Sequence, residues 1–176
     1  MSTIMESEVS LSLKALEDVW YTKIPDIPRF GGDTFRANIP RPFDYVALCN
    51  GTFIGIECKQ SQNPSSLPLG NISEHQVNAL NEVEKCGGVG YMLVNVRLTK
   101  SSRRVNKMFA ITPEWVDYWY SGKGGRKSIP VSWMEENCIE VKRVKLPDCG
   151  KYGWDLRILS PFRDSEFVRE DGLTLL

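Results

Sequence analysis

The sequence predicts an α/β domain built on a mixed central β-sheet flanked by helices, and three observations predict it. First, Pro42-Phe43-Asp44-Tyr45-Val46-Ala47-Leu48 and Thr52 to Lys59 are strand-like runs joined by Asn50-Gly51, a strong short-range hairpin signal. Second, Val89 to Val96 is an apolar, β-branched run of the kind buried in the middle of a sheet. Third, stretches of helical periodicity lie before the hairpin and between it and that strand.

Taken in order, Glu6 to Trp20 opens the chain as an amphipathic helix, because Val9, Leu13, Leu16 and Trp20 recur at spacings of four, three and four, with acids in the first turn. Ile24 to Pro42 holds Pro25, Pro28, Pro40, Pro42 and Gly31-Gly32, so it reads as loop or short edge strand. In the second run of the hairpin Phe53, Gly55, Glu57 and Lys59 share one face, and Ile54, Ile56 and Cys58 the other. Gln60 to Asn71 is polar and broken by Pro64, Pro68 and Gly70, and reads as loop. A helix follows from an N-cap at Ser73, with Val77, Leu80 and Val83 as its apolar stripe and Gly87-Gly88 as its end. Met108 to Ile111 is a further strand. Thr112-Pro113-Glu114 caps a helix through Trp115, Tyr118 and Trp119, which Gly122 to Arg126 breaks. Ile129 to Val131, Trp133 to Cys138, Ile139 to Val144 and Trp154 to Leu159 read as peripheral strands and turns, and nothing is legible after Pro161.

With 176 residues, 41% hydrophobic and 25% charged, the expectation is one domain spanning 1–176, with residues from about 128 onward as an accessory C-terminal region. The 22 basic and 22 acidic side chains cancel, so any binding to nucleic acid must come from local charge and be strongly salt-sensitive. Five cysteines at irregular spacings, without a CxxC pair, support neither a disulfide framework nor a zinc knuckle, and a reducing compartment is the simpler reading. No apolar run approaches the roughly 20 residues of a membrane span. The amino terminus lacks a basic and apolar leader, so the expected location is the cytoplasm.

The hairpin carries the chemistry. It sets Asp44 beside the Glu57/Lys59 pair, and charges of this kind on a half-buried strand are costly unless they hold a metal, a charged partner or each other. Two carboxylates, with a carbonyl such as that of Cys58 between them, offer hard oxygen ligands to Mg²⁺, with waters and a phosphate oxygen completing the shell. The demanding task for such a set is phosphodiester hydrolysis, with Lys59 orienting the attacking water or neutralising the phosphate. The plainer alternative for an isolated ExK is a salt bridge at a strand end, and the Asp44 partner at hairpin distance weighs against it.

Around that site, Arg97 to Lys107 contains five basic residues and no acid; its Lys100, Arg103, Arg104 and Lys107 are candidates for phosphate contacts, as are Arg29, Arg36 and Arg41, although a solvated loop explains such runs equally well. His75, the single histidine, reads as a packing or hydrogen-bonding residue rather than a ligand. Trp115, Tyr118, Trp119 and Tyr120 read as core rather than as a base-stacking platform. The glycine clusters lack the spacing of a nucleotide-binding loop.

Pro42-Phe43-Asp44, twelve intervening residues and Glu57-Cys58-Lys59 resemble the PD-(D/E)XK nuclease signature. Lys59-Gln60-Ser61-Gln62-Asn63, then Leu67-Pro68-Leu69-Gly70-Asn71-Ile72-Ser73-Glu74-His75-Gln76, resembles the RecU-type Holliday junction resolvases, with their E-x-K-x-x-x-N segment, P-L-x-N turn and E-H-Q helix start. The resemblance spans roughly Asp44 to Val96. It implies a restriction-endonuclease-like core and a homodimeric endonuclease that uses Mg²⁺ or Mn²⁺ to nick symmetric strands of four-way DNA junctions in recombination and repair, with recombination proteins as candidate partners and no membrane role. It also implies Asp44 and Glu57 as metal ligands, Lys59 as the catalytic lysine, Gln76 as an additional active-site residue, and an acid from the first helix, best matched by Glu8 with Glu6 as the alternative. Where that family carries a longer stalk ahead of the metal Asp, only Ile24 to Arg41 is available here. A restriction-like or repair nuclease acting on duplex, flap or nicked DNA is the first rival reading, and a catalytically silent DNA-binding module of the same fold is the second.

Overall fold

Asn50 and Gly51 both adopt positive φ, 48° and 75°, and close the hairpin in two residues between Cys49 and Thr52. The computed structural model describes residues 4–25, 41–98, 105–147 and 149–167. The elements are α1 (Ile4–Lys14), β1 (Val19–Lys23), β2 (Tyr45–Cys49), β3 (Thr52–Ser61), β4 (Ser66–Pro68), α2 (Glu74–Lys85), β5 (Val89–Leu98), β6 (Val105–Ile111), α3 (Pro113–Tyr120), β7 (Ser128–Pro130), α4 (Val131–Asn137), β8 (Ile139–Val141), β9 (Arg143–Lys145) and β10 (Tyr152–Trp154).

Six strands form the central sheet in the order β1-β2-β3-β5-β6-β8. Only the β3–β5 pair is parallel, and α2 is its crossover, so the sheet is mixed and the hairpin and β5 stand at its middle, as the sequence predicts. The two faces of β3 feed two cores. Ile54 and Ile56 join Met5, Val9, Leu13, Tyr45, Leu93 and Trp154 under α1. On the other face Val77, Leu80 and Val83 of α2 pack with Met92, Val94 and Val96 of β5 and with Phe109 and Trp119. Of the aromatic residues of α3, Trp119 is buried and Trp115 and Tyr118 pack against the second core as expected, whereas Tyr120, at the helix end, is exposed.

The structure departs from the sequence reading in three places. The first helix stops at Lys14, Asp18 takes a positive φ of 56°, and Trp20 lies on strand β1 instead of completing a helical stripe. The run Val19-Trp20-Tyr21-Thr22 is β-branched and aromatic, and pairing with β2 favours the extended form there. The segment expected as polar loop after Gln60 instead contains the end of β3 and the short strand β4, which pairs with β7. Ile139 to Val144 is two strands rather than one, because β8 completes the central sheet and β9 pairs with β10. Residues from 128 onward therefore supply the sheet's last strand, and they add Ile129 and Met134 to one core and Val141, Trp154, Leu156 and Phe162 to the other. All five cysteines are free. No helix among the described residues is long and apolar enough to cross a membrane.

Candidate metal and catalytic site

The hairpin register places Tyr45 opposite Ile56, and the Asp44 N–H donates to the Ile56 carbonyl at 3.0 Å, so Asp44 arrives beside Glu57 just beyond the end of β2. Its neighbour Phe43 lies over Gly55, where a Cβ would stand 3.0 Å from the ring, and this close approach fixes the entry to the strand. Asp44 and Glu57 are each only 2% exposed.

Each carboxylate has one oxygen that accepts a hydrogen bond and one that does not. Oδ2 of Asp44 accepts the Cys58 N–H at 2.8 Å. Oδ1 of Asp44 has Nη2 of Arg41 at 2.8 Å as an ion pair, but it is buried without a hydrogen bond aligned on it. Oε1 of Glu57 accepts from Nε2 of Gln76 at 2.5 Å and lies 3.0 Å from Nζ of Lys59, whereas Oε2 is buried with no hydrogen-bond partner. Burial is the main force raising the pKa of both acids. The Glu57 carboxyl is pushed up to about 7 by desolvation and then by the Asp44 charge, against the pull of Lys59. For Asp44, desolvation outweighs the lowering effects of the Cys58 N–H and Arg41, and Glu6 adds to the rise. Both shifts reflect negative charge held away from water without enough positive charge to balance it.

Gln76 organises the cluster from α2. Its Oε1 accepts from Nζ of Lys59 at 2.8 Å and from the Ser73 N–H at 3.2 Å, while its Nε2 faces Glu57. Two donors on one side and a carboxylate on the other fix the amide's orientation. The Ser73 contact is half of a capping box, so the same side chain starts the helix and buttresses the lysine.

The two first-helix acids part company. Glu8 is held by Arg97, with Nη2 at 2.9 Å from Oε1, by Nη2 of Arg143 at 3.2 Å and by Nε1 of Trp154 at 3.2 Å. Glu6 pairs with Nζ of Lys23 at 2.5 Å, and the Tyr45 hydroxyl donates to its backbone carbonyl at 2.8 Å. Glu6 is among the charges that bear on Asp44, whereas the expected helix acid, Glu8, is engaged by Arg97, Arg143 and Trp154. On a helix turning about 100° per residue the two flank opposite edges of the Met5, Val9, Leu13 stripe, and only the tertiary packing selects the edge facing the hairpin. The sequence reading missed Lys23, whose position on β1 was hidden by the assignment of Trp20 to a helix.

Among the described residues no three His, Cys, Asp or Glu side chains converge closely enough to hold an ion by themselves. The fit to a divalent cation rests instead on two buried carboxylate oxygens without a hydrogen bond, Oδ1 of Asp44 and Oε2 of Glu57. It rests also on the Cys58 carbonyl, which in an extended strand leaves the same edge as the N–H bonded to Asp44. Two carboxylates and a carbonyl, leaving further positions to water and phosphate, form the oxygen set that Mg²⁺ accepts. Of the expected DNA-contacting residues, Arg41 is engaged with Asp44 and Nζ of Lys107 pairs with Glu135 at 2.6 Å; Arg36, Lys100, Arg103 and Arg104 lie outside the described residues. His75 is exposed, 3.4 Å from the Ser73 hydroxyl.

Residues 37–148 match the family profile described as Recombination protein U. The chain is 36% identical over 101 residues to the Holliday junction resolvase RecU of Pediococcus pentosaceus, covering 56% of this chain and 47% of that one. It is 32% identical over 99 residues to that of Shouchella clausii, covering 56% and 45%. The chain thus spans about half the length of the curated relatives it matches. The solved structure of Hjc, a Holliday junction resolvase of Archaeoglobus fulgidus, aligns over 79% of this chain and 95% of that chain, at 18% identity and a TM-score of 0.42.

Proposed function

The chain belongs to the recombination protein U family, and on that premise we propose that it is a metal-dependent DNA endonuclease that resolves four-way junctions as a cytoplasmic homodimer. The observation that carries the reading is the buried pair Asp44 and Glu57, in which Oε2 of Glu57 has no donor and Oδ1 of Asp44 has the Arg41 ion pair but no aligned hydrogen bond, beside the Lys59–Gln76 hydrogen bond. A saturated structural ion pair would engage every carboxylate oxygen, whereas here Oε2 of Glu57 is left for a further cation and Oδ1 of Asp44 lacks an aligned hydrogen bond.

Asp44, Glu57 and the Cys58 carbonyl are the groups offered to Mg²⁺ or Mn²⁺, with Glu6 in reach of the same site. Bound there, the ion would balance the charge that grows on the phosphate and make a water easier to ionise. Lys59 supplies the protein's own contribution. Its ammonium carries three protons, of which Gln76 and Glu57 take two, leaving one to orient the attacking water or a phosphate oxygen. Attack of that water on phosphorus, in line with the leaving oxygen, breaks one P–O bond of the backbone. Arg36, Arg41, Lys100, Arg103, Arg104 and Lys107 are proposed to track the phosphates, each contact adding to the salt dependence of binding. Recombination proteins are the partners this reading suggests.

The test is nicking of a mobile four-way junction and a matched linear duplex with Mg²⁺ or Mn²⁺, comparing the wild type with Asp44→Asn. Paired nicks confined to the junction and lost in the variant are expected. Equal cleavage of both substrates would move the reading to a general repair or restriction-like nuclease, and cleavage of neither to a binding module. The metal site has its own readout: Mn²⁺ should raise the thermal midpoint of the wild type and leave that of Asp44→Asn unchanged.

A further inference from the structure

Among the described residues, a row of exposed apolar side chains lies on the sheet face that carries Glu57, at the hairpin end. Trp20 is paired across β1 and β2 with Leu48, and Leu48 across β2 and β3 with Phe53, so the three stand in a row across three strands. They are 60%, 44% and 42% exposed. Past Phe53 the row drops into a groove of about 440 Å³ between the hairpin and α2, lined chiefly by Pro42, Phe43, Phe53, Ala79, Val83 and Cys86. Phe43 and Phe53 meet there edge to face, with centroids 6.4 Å apart.

We propose that this row and groove form a two-fold interface with a second copy of the chain, with Trp20 of each copy seated in the Phe43–Phe53–Val83 groove of the other. The inference rests on the homodimer of the proposed function and gives it a surface. Two-fold contacts require a surface complementary to itself. Leu48 lies in the middle, with a projecting ring on one side and a concave apolar groove on the other, so an axis through Leu48 fits knob to groove twice. With strands about 4.8 Å apart, knob and groove edge are separated by roughly 10 Å, well within one such contact.

Charge favours the same occupant. Trp20, Leu48 and Phe53 themselves carry no charge. The residues lining the row and groove include Asp18 and Glu82 and no cation, a poor setting for a DNA backbone. In the described sheet β1 pairs only with β2, so the contact can extend along its open edge toward the ~800 Å² per partner of a stable interface. The arrangement also bears on catalysis. Glu57 lies on the same face four residues from Phe53, about 13 Å along the strand, so both catalytic sites would sit near the one axis.

The test is sedimentation of the full chain without DNA, comparing the wild type with Trp20→Glu and Phe53→Glu, whose exposed positions leave the fold intact by circular dichroism. The wild type is expected at twice the chain mass at micromolar concentration, with dimerisation weakened at least about 30-fold in either variant. Oxidation of mixed Trp20→Cys and Val83→Cys chains should give a disulfide-linked heterodimer. A wild type that stays monomeric, or a Trp20→Glu variant that stays dimeric, overturns the proposal. So does a monomer that pairs only after removal of residues 168–176, which would assign the groove to the chain's own tail, or a Trp20→Glu variant that loses only junction affinity, which would assign the row to DNA bases. A dimer that behaves as expected but cuts no DNA would leave this interface standing and sink the nuclease reading.

Discussion

Glu8 and Glu57 are both buried carboxylates, and their surroundings could hardly differ more. Around Glu8 the oxygens receive two guanidinium groups and an indole N–H, and the partners come from β5, β9 and β10, so the acid ties α1 to the far strands and to the last hairpin. Around Glu57 the single ammonium is shared with Gln76, one oxygen has no donor, and a second acid lies alongside. A saturated buried charge holds elements together; an unsaturated one stores free energy that a ligand can release. Residue type and burial do not distinguish the two, and the inventory of donors does.

Four experiments would break or sharpen that contrast. Asp44→Asn should reduce junction nicking about 10⁴-fold, roughly 5 kcal/mol at 1.36 kcal/mol per decade, while unfolding in urea changes by no more than about 1 kcal/mol. Glu8→Ala should do the reverse. Leaving Arg97, whose side chain is 13% exposed, without its partner should cost about 3–5 kcal/mol of unfolding free energy, with nicking by the folded fraction within about twofold of wild type. A Glu8→Ala protein that is stable but inactive would move the helix acid back to Glu8.

The third experiment is a pH series on metal-free protein. The folded Glu57 pKa, about 7, lies above its ordinary 4.5, so the folded state holds the extra proton between those values. Its stabilising contribution is present below about 4.5 and is lost as pH rises toward 7, by up to about 3 kcal/mol. Glu57→Gln should flatten that slope, and millimolar Mg²⁺ should oppose the loss by favouring the ionised acid. The smallest effect is expected at Lys107→Gln, which breaks an exposed pair with Glu135: a few tenths of a kcal/mol in stability, and a slightly shallower salt dependence of DNA binding if the residue meets phosphate.

Much of the central architecture was legible because local signals agreed. The Asn50-Gly51 turn, the alternation of Thr52 to Lys59 and the Ser73 cap each specify a geometry over a few residues, and together they bring Asp44, Glu57, Lys59 and Gln76 to one place. What was not legible depended on distant packing. Trp20 fitted a helical stripe by spacing alone, and its place in a strand is set by pairing with residues beyond the proline-rich segment. The phase of α1 was readable, but which flank meets the hairpin was not, so Glu6 and Glu8 could not be separated. The role of residues 128–167 as sheet edge and core lid was hidden in strands of three residues, too short for periodicity to register.

The capping contact between Ser73 and Gln76 couples two processes that are usually independent. Fraying of the first turn of α2, an opening that costs little in many helices, would here withdraw the amide from Lys59 and Glu57 in the same movement. The cluster of Glu57, Lys59 and Gln76 therefore lasts only as long as the helix's first turn, and amide exchange at Gln76 and Val77 becomes a clock for how often it is assembled.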